Sequence, residues 1–136
     1  MKKSRLLLTT LFILILAACS PAKPEISGDW KLVSYGDAAN PTPALPDVDT
    51  TLTFENGQMS GNVGCNGFGG GYELSGETIT FSGIMSTMMF CQETSVQEQG
   101  VLGVFSDNAP LPIQLNGDTL TITSADGASV VTLARK

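Results

Sequence analysis

Cys65 and Cys91 are the most reactive side chains in the body of this chain. A cysteine becomes a nucleophile when a neighbouring base or cation lowers the pKa of its thiol. The chain contains no histidine, and no lysine or arginine lies between Lys31 and Arg135. The sequence therefore argues against a cysteine nucleophile. The missing histidine also argues against Ser-His-Asp catalysis and the usual zinc sites.

Soft metal ligands cluster a little further along the chain, at Met85, Met88, Met89 and Cys91. Thioether and thiolate sulfur are the ligands that Cu(I) prefers. Methionine also fills irregular gaps in protein cores, and an oxidised Cys91 would not bind copper. We favour core packing for these methionines and keep a copper site as the alternative.

Two other patterns resemble sites but lack essential parts. Glu73 and Glu77 could form the carboxylate pair of a glycosidase, yet nothing apolar beside them would raise the pKa of either one. We therefore interpret them as solvated surface residues. The glycine-rich stretch 61–71 lacks the lysine and the following helix of a phosphate loop. We predict no catalytic residue, no metal site, no cofactor and no enzymatic activity.

Cys19 has the surroundings of a modified residue. It follows an apolar run over residues 6–18, which ends in Leu-Ala-Ala and is preceded by three basic residues, Lys2, Lys3 and Arg5. This stretch of 13 residues is too short for a membrane span, which needs about 20. The pattern is similar to a bacterial lipoprotein signal peptide, cleaved before Cys19, whose thiol then carries lipid. Ser20, rather than aspartate, after the cysteine favours the outer membrane, with the protein facing the periplasm.

Cleavage leaves an acidic domain. The mature chain, residues 19–136, keeps four basic residues against 13 acidic ones, a net charge of −9. All four basic residues lie near its two ends, so the body offers no positive surface to phosphates or anionic lipids. Nucleic acid is therefore an unfavourable partner, and membrane attachment depends on the acyl chains at Cys19.

Acylation of Cys19 would leave Cys65 and Cys91 as a pair in an oxidising compartment. Small exported domains commonly gain stability from such a bridge. We predict a Cys65–Cys91 disulfide, with two buried free thiols as the alternative.

Short alternating segments separated by turn residues predict a mainly β domain over residues 28–136, after a linker at 19–27. Asn56-Gly57 is a strong type I′ hairpin signal between two of these segments. The eight predicted strands are typical of a barrel or sandwich. They cover Trp30–Val33, Thr51–Phe54, Met59–Val63, Tyr72–Leu74, Thr78–Phe81, Ile113–Leu115, Thr119–Ile122 and Val130–Leu133.

One segment has helical spacing instead. Residues 94–105 place Val101 and Phe105 on one face, and Ser95 with Glu98 has the form of a capping box. Two glycines in this segment weaken the helix, so it needs support from tertiary packing.

The glycine-rich stretch continues into a motif that resembles the META domain, or HslJ-like, family. The first block of matching residues comprises Gly64, Cys65, Asn66, Phe68, Gly70 and Tyr72. The second block comprises Ser86, Thr87, Met89 and Cys91. Weaker similarities at Trp30, Glu98 and Gly117-Asp118 extend the resemblance over residues 28–135.

The resemblance implies a small, partly open antiparallel β-barrel of about eight strands with one helix. It also implies a link to envelope stress or heat-shock responses, and it provides no catalytic residues. One position departs from the pattern, because Met88 stands where the family commonly has arginine or lysine. A contact made by that basic residue would be missing here.

Four aromatic residues could line a ligand pocket or fill the core: Trp30, Phe68, Tyr72 and Phe81. We favour the core, because side chains usually fill small barrels. The function expected is that of a non-enzymatic envelope lipoprotein in stress tolerance or envelope maintenance, acting through an unknown protein partner. The alternative is a carrier or sensor of a small apolar ligand held in the barrel.

Replacing Cys19 with alanine tests the lipid anchor. Without its acylated thiol the protein is expected to move from the membrane pellet to the soluble fraction, because only the acyl chains hold it there. Cys65→Ser is the matched control and is expected to stay in the pellet. A Cys19→Ala variant that still sediments with membranes contradicts the assignment.

Overall fold

The computed structural model describes residues 23–105 and 108–136. The predicted signal peptide and Cys19 lie outside the described residues. One helix, α1 (Ser95–Phe105), accompanies the strands, and no helix in the described ranges is long and apolar enough to span a membrane. The strands are β1 (Gly28–Asp37), β2 (Thr42–Pro43), β3 (Thr51–Glu55), β4 (Gln58–Asn62), β5 (Gly67–Ser75), β6 (Thr78–Ser86), β7 (Leu111–Asn116), β8 (Thr119–Thr123) and β9 (Ser129–Arg135).

Eight of these strands form a closed antiparallel barrel. Each strand from β3 to β9 pairs with the next, β1 pairs with β3, and β1 also pairs with β9 to complete the ring. The two-residue strand β2 lies outside the ring, on β1. The predicted mainly β barrel with one short helix is confirmed, and its ring is closed rather than partly open, because β1 pairs with β9. The shortest ladder of the ring joins β6 to β7 through only two residue pairs, Thr78 with Pro112 and Ile79 with Leu111.

Tight turns set the register of the hairpins. Asn56 and Gly57 both have positive φ, 51° and 75°, as the predicted type I′ turn requires. This turn pairs Phe54 with Met59, and both side chains point into the barrel and are buried. A slip of one residue would turn the apolar face of each strand toward water.

Large side chains fill the barrel. Trp30, Phe54, Phe81 and Phe105 are each less than 2% exposed. The rings of Phe81 and Phe105 lie 4.7 Å apart, which brings the end of α1 into the core. The predicted core role is confirmed for Trp30, Phe68 and Phe81, while the partly buried Tyr72 packs against this core.

The last residues of the predicted linker also belong to the domain. Ile26 is 1% exposed, and its carbonyl accepts a hydrogen bond of 2.8 Å from Trp30 Nε1. The guanidinium of Arg135 lies over the Trp30 ring, 4.3 Å from its centroid, and donates to the carbonyl of Ser27. The ordered domain therefore begins before Gly28.

The two ends of the barrel differ. One end, here called the tether end, carries the hairpin turns 56–57, 76–77 and 117–118 and the entering segment 23–28. Pro24 shares a cleft there with the 76–77 turn and with Asn116. The other end, here called the helix end, carries α1 together with segments 62–66 and 87–94. Strand β6 runs from the tether end to the helix end.

Close packing at the helix end requires glycine at one position of α1. A Cβ added at Gly100 would lie 2.5 Å from Cδ2 of Tyr35, whose side chain is buried. Nothing lies within 4 Å of a Cβ added at Gly103, in the same helix. Tertiary packing thus explains why α1 has glycine at position 100, although glycine weakens the helix.

The two helix glycines give a matched pair of variants. Gly100→Ala is expected to lower the free energy of unfolding by about 1–3 kcal/mol, because the Tyr35 ring must move out of a packed site. Gly103→Ala is expected to raise it by up to about 1 kcal/mol, because alanine favours the helix. Chemical denaturation measures both. Equal effects of the two substitutions would contradict the packing explanation.

Candidate functional site

The buried carboxylate of Glu98 organises the helix end of the barrel. Its Oε1 atom accepts a hydrogen bond from the backbone N–H group of Cys65. The same atom accepts hydrogen bonds from Asn66 N at 3.1 Å and from Thr94 Oγ1 at 3.0 Å. Its Oε2 atom accepts a hydrogen bond of 2.7 Å from Asn66 Nδ2. One side chain of α1 therefore fixes the loop between β4 and β5.

The side chain of Asn66 connects this loop to the segment that follows β6. Its Oδ1 atom accepts hydrogen bonds from Thr87 Oγ1 at 2.7 Å and from Met89 N at 2.8 Å. Its Nδ2 group also donates to the carbonyl oxygen of Met89 at 2.9 Å. Asn66 is 6% exposed, so little water competes for these bonds.

The predicted disulfide joins the same two segments. Cys65 and Cys91 are bonded, with their Cα atoms 6.2 Å apart. Beside it, Gly64 allows the loop to approach α1, because a Cβ there would meet Glu98 Oε1 and would lie 2.7 Å from Thr94 Cβ. Neighbouring Gln97 connects the same loop to the segment after β2, donating to the carbonyl of Val63 and accepting from Leu45 N.

The hydrogen bonds also set the charge state of Glu98. Burial raises the pKa of its carboxyl group, but the hydrogen bonds from Asn66, Cys65 and Thr94 together lower it more, so the pKa lies below its ordinary value. The carboxylate is ionised at neutral pH, and its donors occupy both oxygen atoms. This environment suits a structural anion rather than a proton-transfer group.

The capping box predicted for Ser95 and Glu98 is wrong. Glu98 N donates to the carbonyl of Thr94, and Ser95 Oγ donates to Gln92 O at 3.3 Å. The Glu98 side chain turns toward Cys65 and Asn66, which lie more than thirty positions earlier. The local spacing correctly indicated the start of a helix. It gave no indication that the Glu98 side chain would accept hydrogen bonds from residues far away in the sequence.

Four apolar side chains stand in solvent next to this network. Met85 is 77% exposed, Met88 97%, Met89 58% and Phe90 85%. We call these four residues the Met–Phe surface. Core packing, the role favoured from the sequence for these methionines, is therefore wrong.

The soft-ligand set proposed for copper loses its thiolate, because Cys91 is bonded to Cys65. Within the described ranges, no group of three or more His, Cys, Asp or Glu residues is placed to hold a metal ion. Glu73, on β5, and Glu77, in the β5–β6 turn, are both exposed, as expected of solvated surface residues.

The remaining motif residues lie on the adjacent strands β5 and β6. Phe68 is buried, and the partly buried Tyr72 packs edge-on against Phe54 with ring centroids 5.3 Å apart. A Cβ at Gly70 would lie 2.7 Å from both Ile84 Cδ1 and Ser82 O. Ser86 lies at the exposed end of β6, where its hydroxyl donates to the carbonyl of Thr87.

The profile of the META domain family matches residues 24–136. The chain belongs to the META domain family. The match includes both motif blocks, and it begins within the predicted linker, close to buried Ile26. No curated protein matches this chain.

Solved structures similar to this META domain share its fold. A protein from Burkholderia xenovorans has a TM-score of 0.65 and 20% identity, over 79% of this chain and 81% of that one. A DUF4847 family protein from Bacteroides vulgatus has a TM-score of 0.59 and 16% identity, over 81% of this chain and 93% of that one. At these identities the similarity establishes the fold alone.

Glu98→Gln tests the anionic centre. An amide would turn N–H donors toward Asn66 Nδ2 or toward the Cys65 and Asn66 N–H groups, so we expect a loss of about 2–3 kcal/mol. Because the folded pKa of Glu98 is lowered from 4.5, its carboxylate stabilises the fold above that pH. This contribution is lost as the pH falls through the folded-state pKa.

The measurement is urea denaturation of wild type and variant between pH 2 and 7. The Glu98→Gln variant is expected to show a weaker loss of stability toward acid than wild type. Glu93→Gln, at an exposed position just before α1, serves as the control and is expected to behave as wild type. An unchanged pH dependence in Glu98→Gln would contradict the role given to the carboxylate.

Proposed function

We propose that this META domain protein is a non-enzymatic lipoprotein of the bacterial cell envelope that acts through contacts with another protein. In this proposal the acyl chains on Cys19 hold it in the outer membrane, facing the periplasm, and its role is in stress tolerance or envelope maintenance. The observation that carries the proposal is an exposed apolar surface on a fixed backbone: Met88 and Phe90 are 97% and 85% exposed, and Met89 between them is bonded to Asn66.

Exposed apolar side chains carry an unfavourable hydration free energy, about 25 cal/mol per Å². Clusters of them commonly mark interaction sites. Here the backbone that carries the cluster is held in place. The backbone N–H and C=O groups of Met89 are hydrogen-bonded to the Asn66 side chain, and Thr87 N donates to the carbonyl of Gly67. Cys91 forms the disulfide with Cys65. A surface ordered before binding loses less conformational entropy when a partner docks, which strengthens binding.

The charge around this surface indicates what kind of protein fits. The mature chain carries −9, and no basic residue lies between Lys31 and Arg135. Glu93 is exposed just beyond Phe90. We infer a partner with apolar side chains surrounded by lysine or arginine. A second copy of this chain is disfavoured, because two such acidic surfaces repel each other.

The position of the surface disfavours the bilayer as its target. The chain between Cys19 and Lys23 spans at most about 14 Å. Ser86 lies at the far end of nine-residue β6, about 26 Å along the strand from the tether end. A short tether holds the tether end near the lipid, so the Met–Phe surface points away from it.

The carrier alternative has less support. It requires a hollow barrel, whereas twelve large side chains of the described core are less than 2% exposed. Trp30, Phe54, Phe81 and Phe105 occupy the space that an apolar ligand would need.

Site-specific photocrosslinking in intact cells tests the proposal. A photoreactive phenylalanine analogue at position 88 of the full chain is expected to give a discrete protein adduct, and the same analogue at exposed Gln114, on β7, is expected to give none. Adducts to lipid, to a second copy or to nothing at position 88 would each overturn the proposal.

A double variant, Met88→Ser with Phe90→Ser, connects the surface to the physiological role. We expect an unchanged melting temperature, because both side chains are exposed. We also expect the sensitivity to heat and membrane stress that a strain lacking the protein shows. Wild-type tolerance in the double variant, where the deletion strain is sensitive, would show that the role does not use this surface.

A further inference from the structure

We propose that the partner adds an extended strand to the free edge of β6, beside the Met–Phe surface. The inference rests on the proposed function and specifies how the contact is made. Extended segments bind exposed sheet edges through main-chain hydrogen bonds, and neighbouring side chains provide specificity.

Among the described residues, one edge of β6 is largely unpaired because the β6–β7 ladder is short. Strand β6 pairs with β5 along nearly its whole length, from Thr78 to Ser86. On its other side it pairs with β7 only at Thr78 and Ile79. From Thr80 to Ser86, no described residue pairs with this second side, and the residues near the helix end are largely exposed.

The direction of the unpaired groups follows from the ladder. Thr87 N donates to Gly67 O across the β5 side, at 3.0 Å. Backbone groups alternate between the two sides of a strand, so the N–H and C=O of Ser86 face the free edge. The same alternation from Met85, which pairs with Gly69, turns Ile84 toward that edge.

A bulge limits the length of this site. The β5–β6 register shifts between Gly69 and Gly71, opposite Gly83, whose φ is 60°. Bulges bend an edge and discourage long, unselective pairing. The usable edge is therefore the short piece from Ile84 to Ser86, which leads directly into Met88.

This geometry selects a partner strand of defined composition. Met85 lies on the outer face of β6 at 77% exposure, next to the side chains that an added strand would carry. The acidic chain favours lysine or arginine at the solvent-facing positions. The partner segment is thus an extended stretch with apolar and basic residues, belonging to another envelope protein.

Ser86 provides the variants that test this. Ser86→Pro removes the N–H that faces the edge, and edge strands tolerate proline. Ser86→Ala keeps the N–H and removes only the hydroxyl, so it is the matched control. The melting temperatures of both variants confirm that the fold is intact. If Ser86→Pro does not fold, a peptide N-methylated on its edge-facing amides removes the same hydrogen bonds from the other side.

The probe is a library of displayed random heptapeptides, selected on the full-length wild-type protein and counter-selected on Ser86→Pro. We expect enriched sequences that contain apolar and basic residues, and we expect them to bind Ser86→Ala as they bind wild type. Enrichment of no sequence, or of sequences that bind Ser86→Pro equally well, overturns strand addition.

Amide hydrogen exchange measured by NMR gives the geometric signature. The selected peptide is expected to slow exchange at Ile84 and Ser86 by about tenfold or more while leaving Met85 unchanged, because only alternate amides face an added strand. Uniform protection across residues 84–90, or none, contradicts the inference.

The crosslinking experiment separates this inference from the proposed function. If Ser86→Pro abolishes the protein adduct formed at position 88 and Ser86→Ala preserves it, both stand. An adduct that survives in Ser86→Pro leaves protein contact intact and overturns strand addition. Absence of an adduct in the wild type overturns the proposed function itself.

Discussion

The helix end of this barrel depends on the carboxylate of Glu98. A buried charge is unfavourable unless hydrogen bonds compensate for the lost water, and Glu98 receives them from Cys65, Asn66 and Thr94. Two of its donors are backbone groups of the β4–β5 loop, which the disulfide and Gln97 also hold. The ion thus orders the loop, and the loop stabilises the ion.

The same interaction explains what the family motif does in this chain. Asn66 lies in the β4–β5 loop and also fixes the segment after β6, because its side chain accepts hydrogen bonds from Thr87 and Met89. The motif residues therefore fix the backbone of both segments. The resemblance stated from the sequence places a basic residue where this chain has Met88. Since the Met88 side chain is almost fully exposed, a different side chain at this position would leave the supporting hydrogen bonds unchanged.

Much of the fold followed from short-range patterns. Alternation around Phe54 and the Asn56-Gly57 turn specify a hairpin locally, so the sequence predicted it correctly. The two-residue strand β2 has no such pattern, because only its pairing with β1 defines it. Closure of the ring between β1 and β9 likewise depends on residues far apart in the chain.

The site was less predictable, for a related reason. Cys65 and Cys91 could be paired from composition and compartment, whereas the bonds of Glu98 to Cys65 and Asn66 connect segments that share no local signal. The exposure of Met88 and Phe90 was missed because apolar residues usually pack inward. Met88 and Phe90 stay exposed because the backbone of Met89, between them, is hydrogen-bonded to the Asn66 side chain. Only the folded structure shows these hydrogen bonds.

The pairing of β1 with β9 has a consequence for the order of folding. Trp30 pairs with Arg135, so the first strand to be synthesised is completed by the last one. Contacts so distant in sequence slow folding, because a long loop must close before they form. Until β9 has been synthesised, β1 has an unpaired side that favours association with other chains. The nascent chain is therefore at greatest risk of aggregation before its last strand is available, and its acidic charge helps to keep it apart from its own copies during that interval.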